Sequence, residues 1–455
     1  MLRCKAAIAI LKHSESADLL RKSLLSHVSA GLKFSITSKV TTEKGFGDNI
    51  LKVLQINTVC GSGSVGRIAT DLMLTLKEEG HDCEILYGRR KAPEGLEGAV
   101  RVGSNLSMAQ HVLATFFKGE HGFASEKVTE RMIACINEYQ PDVIQLHNIH
   151  GFYLNVEMLF NYLKVAGIPV VWTLHDCWSF TGHCAYFDYA GCDRWKEGCG
   201  NCPQHRTAYP YAIFKDNSRE NYKRKEKAFT KVPNLTIVTP SQWLADLVGQ
   251  SFLKKYPVKV IPNGIDREVF SPMEGRFRRK YGLQEKKVLL GVANIWEKRK
   301  GLDVFLQLAS RLPEEYQIVL VGVSDRQSKK LPEKILGIPR TGKPSELAQW
   351  YTLADLYVNP TYEDNFPTTN LEALSCGTPV ITFATGGSPE AIDASCGKVV
   401  PKGDVDALLV AILDMEESPV LKESCILKSR QYDKEERFRE YIKLYEDILE
   451  ADKQG

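Results

Sequence analysis

No stretch of this chain is apolar and long enough to cross a bilayer. The longest apolar run near its start, 6–11, is also too short for the core of a secretory leader. An excess of one charge is lacking too. The 455 residues carry 59 Lys and Arg against 56 Asp and Glu, a net of +3 that gives no ground for a nucleic-acid partner. Solenoid-type repeats and low-complexity tracts are absent, which sets aside quasi-one-dimensional and biased-composition architectures. With no leader read, the 12 cysteines are expected in a reducing cytoplasm as buried, catalytic or metal-bound thiols, not as a disulfide framework.

What is present is a soluble globular composition at a length that outgrows one core, so two or three domains are expected. Residues 1–49 carry Arg3, Lys5, Lys12, Arg21, Lys22, Lys33 and Lys39 with many Ser and few acids. They read either as a transit peptide or as a poorly ordered extension, with the extension preferred. From residue 50 onward, short apolar strands alternate with amphipathic helices. Strands are expected at 51–57, 83–87, 143–147, 170–175, 235–239 and 258–261. After a turn at Pro262-Asn263-Gly264 the alternation restarts, with strands at 288–293, 318–323, 356–359 and 380–383. Strands apolar on both faces and separated by helices predict parallel sheets covered on both sides. The fold class expected is α/β, with two doubly wound, Rossmann-like halves facing across a cleft. The first spans 50–263 and the second 264–430. A charged amphipathic helix at 431–455 is expected to pack back toward the first half.

The most specific stretch is 363–381. A strand ends at Asn359-Pro360, a loop carries Glu363 and Asp364, and a helix opens near Pro367, a residue tolerated at a helix start. The free amides near Thr368 and Thr369 make an anion site, with Asp364 before it and Glu372 inside the helix. A sugar diphosphate needs this combination of a dipole for the diphosphate and acceptors for hydroxyl groups. The stretch continues into Cys376-Gly377-Thr378-Pro379-Val380-Ile381 and Gly386-Gly387-Ser388-Pro389-Glu390.

In these residues the chain resembles the retaining glycosyltransferases of GT-B architecture, family 4 (glycosyl transferases group 1), whose signature is an acidic pair spaced E-x7-E. The matching pair is Asp364 and Glu372, with Asp in place of the first Glu and Glu363 beside it. The resemblance implies that the first acid and the positions after it, Asn365, Phe366, Thr368 and Thr369, hold the donor sugar and phosphates, and that Glu372 binds the nucleotide ribose. Which of Glu363 and Asp364 meets the sugar stays open.

Other matches follow the same order. The Gly-rich turn Cys60-Gly61-Ser62-Gly63-Ser64 corresponds to the family's donor loop, with Gly63 and Ser64 the matching residues and Arg67 opening the helix. Tyr87-Gly88-Arg89-Arg90 stands where a dehydrogenase would carry a ribose-binding acid, which argues against that class. Lys300-Gly301 matches the family's diphosphate-binding Lys-Gly. Ile295 stands at the position of its Arg, so Arg299 is the substitute expected to reach the phosphates. His147 and His175-Asp176 end two strands at one cleft. The resemblance implies catalytic roles for His175, Asp176, Asp364 and Glu372, and a hinge at Asn263-Gly264-Ile265-Asp266.

One feature lies outside the family pattern. Cys184, Cys192, Cys199 and Cys202 stand in a long loop, 177–202, and the spacing suits a structural tetrahedral zinc that would order a loop without a core of its own. His183 and His205 are alternative ligands, and no cofactor is expected for catalysis. Basic clusters at Arg89-Arg90-Lys91 and Lys223-Arg224-Lys225 are candidates for contact with an anionic membrane, at its inner face.

The resulting expectation is transfer of a hexose or related sugar from a nucleoside diphosphate to a hydroxyl acceptor, a lipid-linked glycan among the candidates, in polysaccharide or glycolipid assembly. The resemblance implies retention by same-face attack, the leaving phosphate helping to deprotonate the acceptor. A sugar-nucleotide epimerase, a glycan phosphorylase and a non-catalytic zinc-ordered interaction module are the alternatives. No pyridoxal-phosphate lysine context supports the phosphorylase.

Overall fold

Every strand among the described residues runs parallel to its neighbours. The computed structural model describes residues 50–454, so the extension expected over 1–49 lies outside the described residues. The first sheet contains β1 (Lys52–Val59), β2 (Asp82–Arg89), β3 (Ala99–Arg101), β4 (Val143–Leu146), β5 (Val170–Thr173), β6 (Leu235–Thr239) and β7 (Val258–Val260). The second contains β8 (Lys287–Val292), β9 (Tyr316–Val321), β10 (Ile335–Ile338), β11 (Leu356–Asn359), β12 (Val380–Phe383) and β13 (Gly397–Val400). Their orders, 3-2-1-4-5-6-7 and 10-9-8-11-12-13, both reverse direction beside the first strand of the sheet. Two doubly wound α/β domains result.

Central strands such as β4, β5 and β12 are buried along their whole length, the signature of a parallel sheet covered on both faces. The helices that matter below are α1 (Gly63–Glu78), α2 (Asn105–Lys118), α3 (Ser218–Phe229), α4 (Leu302–Ala309), α5 (Pro344–Leu353), α6 (Thr368–Ser375) and α7 (Lys434–Gln454). In α1, Ile68, Ala69, Leu72, Met73 and Leu76 are buried at helical spacing, which fixes the helix on the first sheet.

The last helix, α7, belongs to the first domain's core. Phe438, Tyr441, Ile442 and Tyr445 are buried in one cluster with Leu51, Val53, Leu72 and Val171. Two phenols also reach polar side chains of the sheet: Tyr445 Oη donates to Gln145 Oε1 at 2.9 Å, and Tyr441 Oη lies 3.1 Å from Thr173 Oγ1. The chain therefore passes between the domains twice, and the two passages are tied side by side. Ile265 N donates to Tyr432 O, Lys434 N donates to Ile265 O, and Lys434 Nζ pairs with Asp266 Oδ2 at 2.7 Å.

Candidate active site

Ligands of open parallel sheets sit where the strand order reverses, beyond the carboxyl ends of the strands. Here both reversal points face one cleft of about 630 Å³. The first domain lines it with the turn after β1, including Gly63, Ser64 and Arg67, and with Asn148, His175 and Asp176. The second lines it with Ile295, Arg299 and Lys300 after β8, Arg340 and Lys343 after β10, and Asp364 to Thr369 with Glu372 after β11.

Helix α6 starts from Pro367, whose side chain cannot cap it, so its first amides at Thr368 and Thr369 keep the anion-binding capacity of a helix N-terminus. Asp364 stands before that tip, its Oδ2 2.5 Å from Lys300 Nζ. Glu372 stands one turn in and is buried. It accepts from Tyr351 Oη at 2.9 Å and Thr368 Oγ1 at 3.4 Å, and Arg67 of the other domain lies 3.7 Å away. Burial raises the Glu372 carboxyl above its ordinary value, opposed by Arg67 and the two hydroxyl donors.

Two glycine positions hold the loop where it is. Gly301 ends the basic turn at φ +77, and a Cβ there would come 2.3 Å from Pro360 O. A Cβ on Gly386 or Gly387 would meet the backbone oxygens of Asp364 or Asn365 at about 2 Å, so only glycine lets the chain pass beneath the acidic loop.

Glu363 is not part of the cleft lining, which corrects its expected place at the donor. Its carboxylate accepts from Tyr189 N at 2.8 Å, across the domain boundary, and is turned toward the Cys-rich loop. Asp188 of that loop pairs with Lys402 at 2.7 Å. Of the two acids, Asp364 is the one that lines the cleft. Asn365 and Phe366 line the cleft and also clamp the domains together. Asn365 Oδ1 accepts from Ser241 Oγ, its Nδ2 donates to His175 O at 3.2 Å, and Phe366 O accepts from Asn263 Nδ2.

His175 is buried, and burial pushes its imidazole down to about 4. Its Nε2 lies 3.1 Å from His147 Nδ1, and His147 Nε2 lies 2.9 Å from Gln55 Oε1. Gln55 uses its amide nitrogen on Ala69 O and Cys83 Sγ, so its oxygen must accept. Both rings are therefore neutral Nε2–H tautomers, and His147 supports His175 from outside the cleft.

The loop expected to lack a core of its own packs into the core of the first domain. Trp195 is buried against Phe180 and Phe187, ring centroids 5.3 and 5.0 Å away. Cys184, Cys192, Cys199 and Cys202 line one small cavity beside it. Among the described residues, however, no three His, Cys, Asp or Glu side chains converge as a metal-ligand set. As placed, the four thiols share one cavity without forming a closed metal-ligand set. The basic clusters also differ from a solvated face. On α3, Lys225 is buried, donates to Trp178 O and Thr181 O, and lies 3.4 Å from the Trp178 ring, while Arg224 pairs with Glu157. Arg90 donates to Ser62 Oγ, and Arg89 lies over Phe152.

Residues 65–269 match the family described as Glycosyltransferase Family 4, and 286–418 match Glycosyl transferases group 1. The chain belongs to the family 4 glycosyltransferases. This glycosyltransferase is 23% identical over 420 residues to the putative colanic acid biosynthesis glycosyl transferase WcaC of Escherichia coli (strain K12), a match that spans 88% of this chain and 100% of that protein. Among solved structures, sucrose-phosphate synthase from Thermosynechococcus elongatus superposes with a TM-score of 0.68 at 16% identity, over 88% of this chain and 100% of that one. The Anabaena Alr3699/HepE complex with UDP superposes with a TM-score of 0.62 at 14% identity, over 87% and 100%. All share the GT-B arrangement of two facing α/β domains.

Sequence reading missed Arg340 and Lys343, which enter the glycosyltransferase's cleft from the end of an edge strand. The signal was a Gly between two basic residues, followed by Pro344 at the first position of α5.

Proposed function

We propose that the enzyme transfers a sugar from a nucleoside diphosphate to a hydroxyl acceptor with retention at the anomeric carbon. The bond from C1 to the phosphate oxygen breaks, the bond from C1 to the acceptor oxygen forms on the same face, and the acceptor proton passes to the departing phosphate. The observation carrying this reading is the uncapped tip of α6, flanked by Asp364 and Glu372 and faced by Lys300 within one interdomain cleft. Lys300, Arg299 and the α6 amides neutralise the charge that grows on the diphosphate. Glu372 receives the ribose hydroxyls, and Asp364 a hydroxyl of the sugar. The cleft reaches into both domains, so closure expels water as the acceptor is aligned.

A uridine nucleotide is the first donor to try, since a structural relative of the same fold binds UDP and UDP-glucose. A growing polysaccharide or a glycolipid is the acceptor class, in line with the colanic acid assignment of the Escherichia coli relative. We infer that contact with an anionic membrane would use α2 in preference to the basic clusters. Leu106, Leu113 and Phe117 are exposed along one face of that helix, Phe214 stacks on Phe117 at 5.0 Å, and Lys118 and Lys215 flank the patch.

A thermal-shift screen over nucleoside diphosphates tests the donor reading. The transition should rise with one diphosphate at saturation and not in Lys300→Ala. No shift with any of them overturns it. Co-sedimentation with phosphatidylserine vesicles should fall in Phe117→Glu, and wild-type sedimentation of that variant rejects the α2 contact.

A further inference from the structure

Asp176 lies at the cleft wall with its side chain 12% exposed, and both of its oxygens are already engaged from behind. Oδ1 accepts from the backbone N of Trp178 at 2.9 Å, and Oδ2 lies 2.9 Å from His150 Nε2. Behind His150 the contacts continue. Its Nδ1 lies 3.1 Å from Tyr209 Oη, Tyr209 Oη lies 3.2 Å from His121 Nε2, and His121 Nδ1 accepts from the indole Nε1 of Trp178 at 2.9 Å. The path begins and ends on Trp178 and closes into a ring.

The chemistry of the two ends fixes the direction of every link. An indole N–H can only donate, and an ionised carboxylate can only accept. His121 must therefore accept at Nδ1 and carry its proton on Nε2. Tyr209 accepts from that proton and passes its own O–H to His150 Nδ1. His150 is left with its single proton on Nε2, directed at Asp176. A second proton on His150 would turn Nδ1 into a donor facing the Tyr209 hydroxyl. Reversing that hydroxyl would then press a second N–H of His121 against the indole. Burial also holds His121 neutral, its imidazole lying well below the ordinary value.

We propose that Trp178, His121, Tyr209 and His150 form a one-way hydrogen-bond chain that holds Asp176 as a fixed hydrogen-bond acceptor for a non-reacting hydroxyl of the incoming acceptor, with His150 the positioning residue. The function of the ring rests on the transferase reading, whereas its polarity does not. A carboxylate offers about four acceptor positions. The ring occupies two from the protein side, which leaves the cleft side for that hydroxyl. His150 acts through Asp176 and takes no proton itself. Its companions in sequence, His147 and Asn148, are at the same strand end, but His147 points into the separate Gln55–His175 chain. The two wires meet at adjacent residues, His175 and Asp176, and steady both from opposite sides.

Two measurements test this on the full chain. In protein labelled with ¹⁵N-histidine at pH 7.5, His150 and His121, assigned by single His→Gln variants, should both be Nε2–H tautomers. An Nδ1–H tautomer or an imidazolium at His150 overturns the wire. The second follows UDP release from UDP-glucose. His150→Phe keeps the ring volume and removes both polar contacts, so kcat should fall about 10²-fold through misplacement of Asp176, with KM for the donor within about twofold. His150→Gln, which restores an N–H toward Asp176, should recover most of that loss. Tyr209→Phe should lower kcat in the same sense, and it serves if His150→Phe melts early. Wild-type kcat in both ring variants, a parallel rise in donor KM, or no recovery with Gln overturns the positioning role. If the wild-type enzyme releases diphosphate from no nucleotide sugar, the transferase reading fails, and the tautomers still decide whether the wire exists.

Discussion

Lys300 and Asp364 share one short ion pair in the interdomain cleft, so each limits what the other can be replaced by. Removing the lysine would take a cation from the proposed diphosphate site and leave the Asp364 carboxylate unmatched. Lys300→Ala should lower kcat by about 10²- to 10³-fold, the range seen when one preorganised donor is lost. Its thermal transition should stay near that of the wild type, because the pair is partly exposed at the surface of the cleft. Steady-state kinetics beside a melting curve checks both halves. The neighbouring acids give a sharper contrast. Glu363→Gln keeps an acceptor for the Tyr189 amide and should leave donor affinity within about twofold. Asp364→Asn should weaken it by about tenfold, the scale of one charged hydrogen bond. Equal effects in an isothermal titration would mean that the loop presents both acids to the sugar. The sequence showed an acidic pair at the right distance from Glu372. It could not show which of two adjacent carboxyls faces inward, because that depends on where the loop 177–202 docks.

Elements were read from the sequence in proportion to how completely they are buried. β6, β11 and β12 lie at the residues expected, since each is a short wholly or mostly buried apolar run. Three strands went unread, β3, β10 and β13, and each lies at a sheet edge, ending its sheet's strand order. β3 is three half-buried residues, and β10 and β13 each contain a glycine, so hydrophobic periodicity gives little signal there. The helix tip in 363–381 was legible because Pro367, Glu372 and the following Gly-Thr-Pro mark it locally. The Asp176 ring was not legible, since His121, His150, Trp178 and Tyr209 are brought together only by the fold. Helix α7 could be read as amphipathic, and its phenols now give a test of where it belongs. Tyr445→Ala should cost about 3–5 kcal/mol, in line with loss of a large buried side chain. Tyr445→Phe should cost about 1–2 kcal/mol by orphaning Gln145 Oε1. Urea denaturation followed by first-domain fluorescence measures both, and a neutral Tyr445→Ala would show that α7 is not integral to the first core.

At the scale of the whole molecule, acid stability follows from the histidines. Burial holds His175 and His183 down to about 4 and His111 to about 3, from an ordinary 6.5. The unfolded chain therefore takes up these protons first. Stability is fully present above about pH 6.5 and is lost as the pH falls toward 4, by roughly 3 kcal/mol for each group near 4. Asp71, lifted to about 6 by burial, works the other way, since protonating it favours the native state below that pH. Glu372 and Glu363, also raised by burial, act in the same sense as Asp71, but the depressed histidines outweigh them, so the melting temperature should fall between pH 7 and pH 5. A flat profile would mean that the rings are solvated. The return of the chain to its first domain has a further consequence during synthesis. A ribosome emits the first sheet early, but the helix that seals its Leu51 face emerges only after the whole second domain. Until then the nascent domain exposes a greasy flank while an entire second domain is being made and folded. The chain should accordingly depend on a chaperone for longer than its modest domain sizes suggest, and stop codons just before Lys434 should yield insoluble product, not a shortened enzyme.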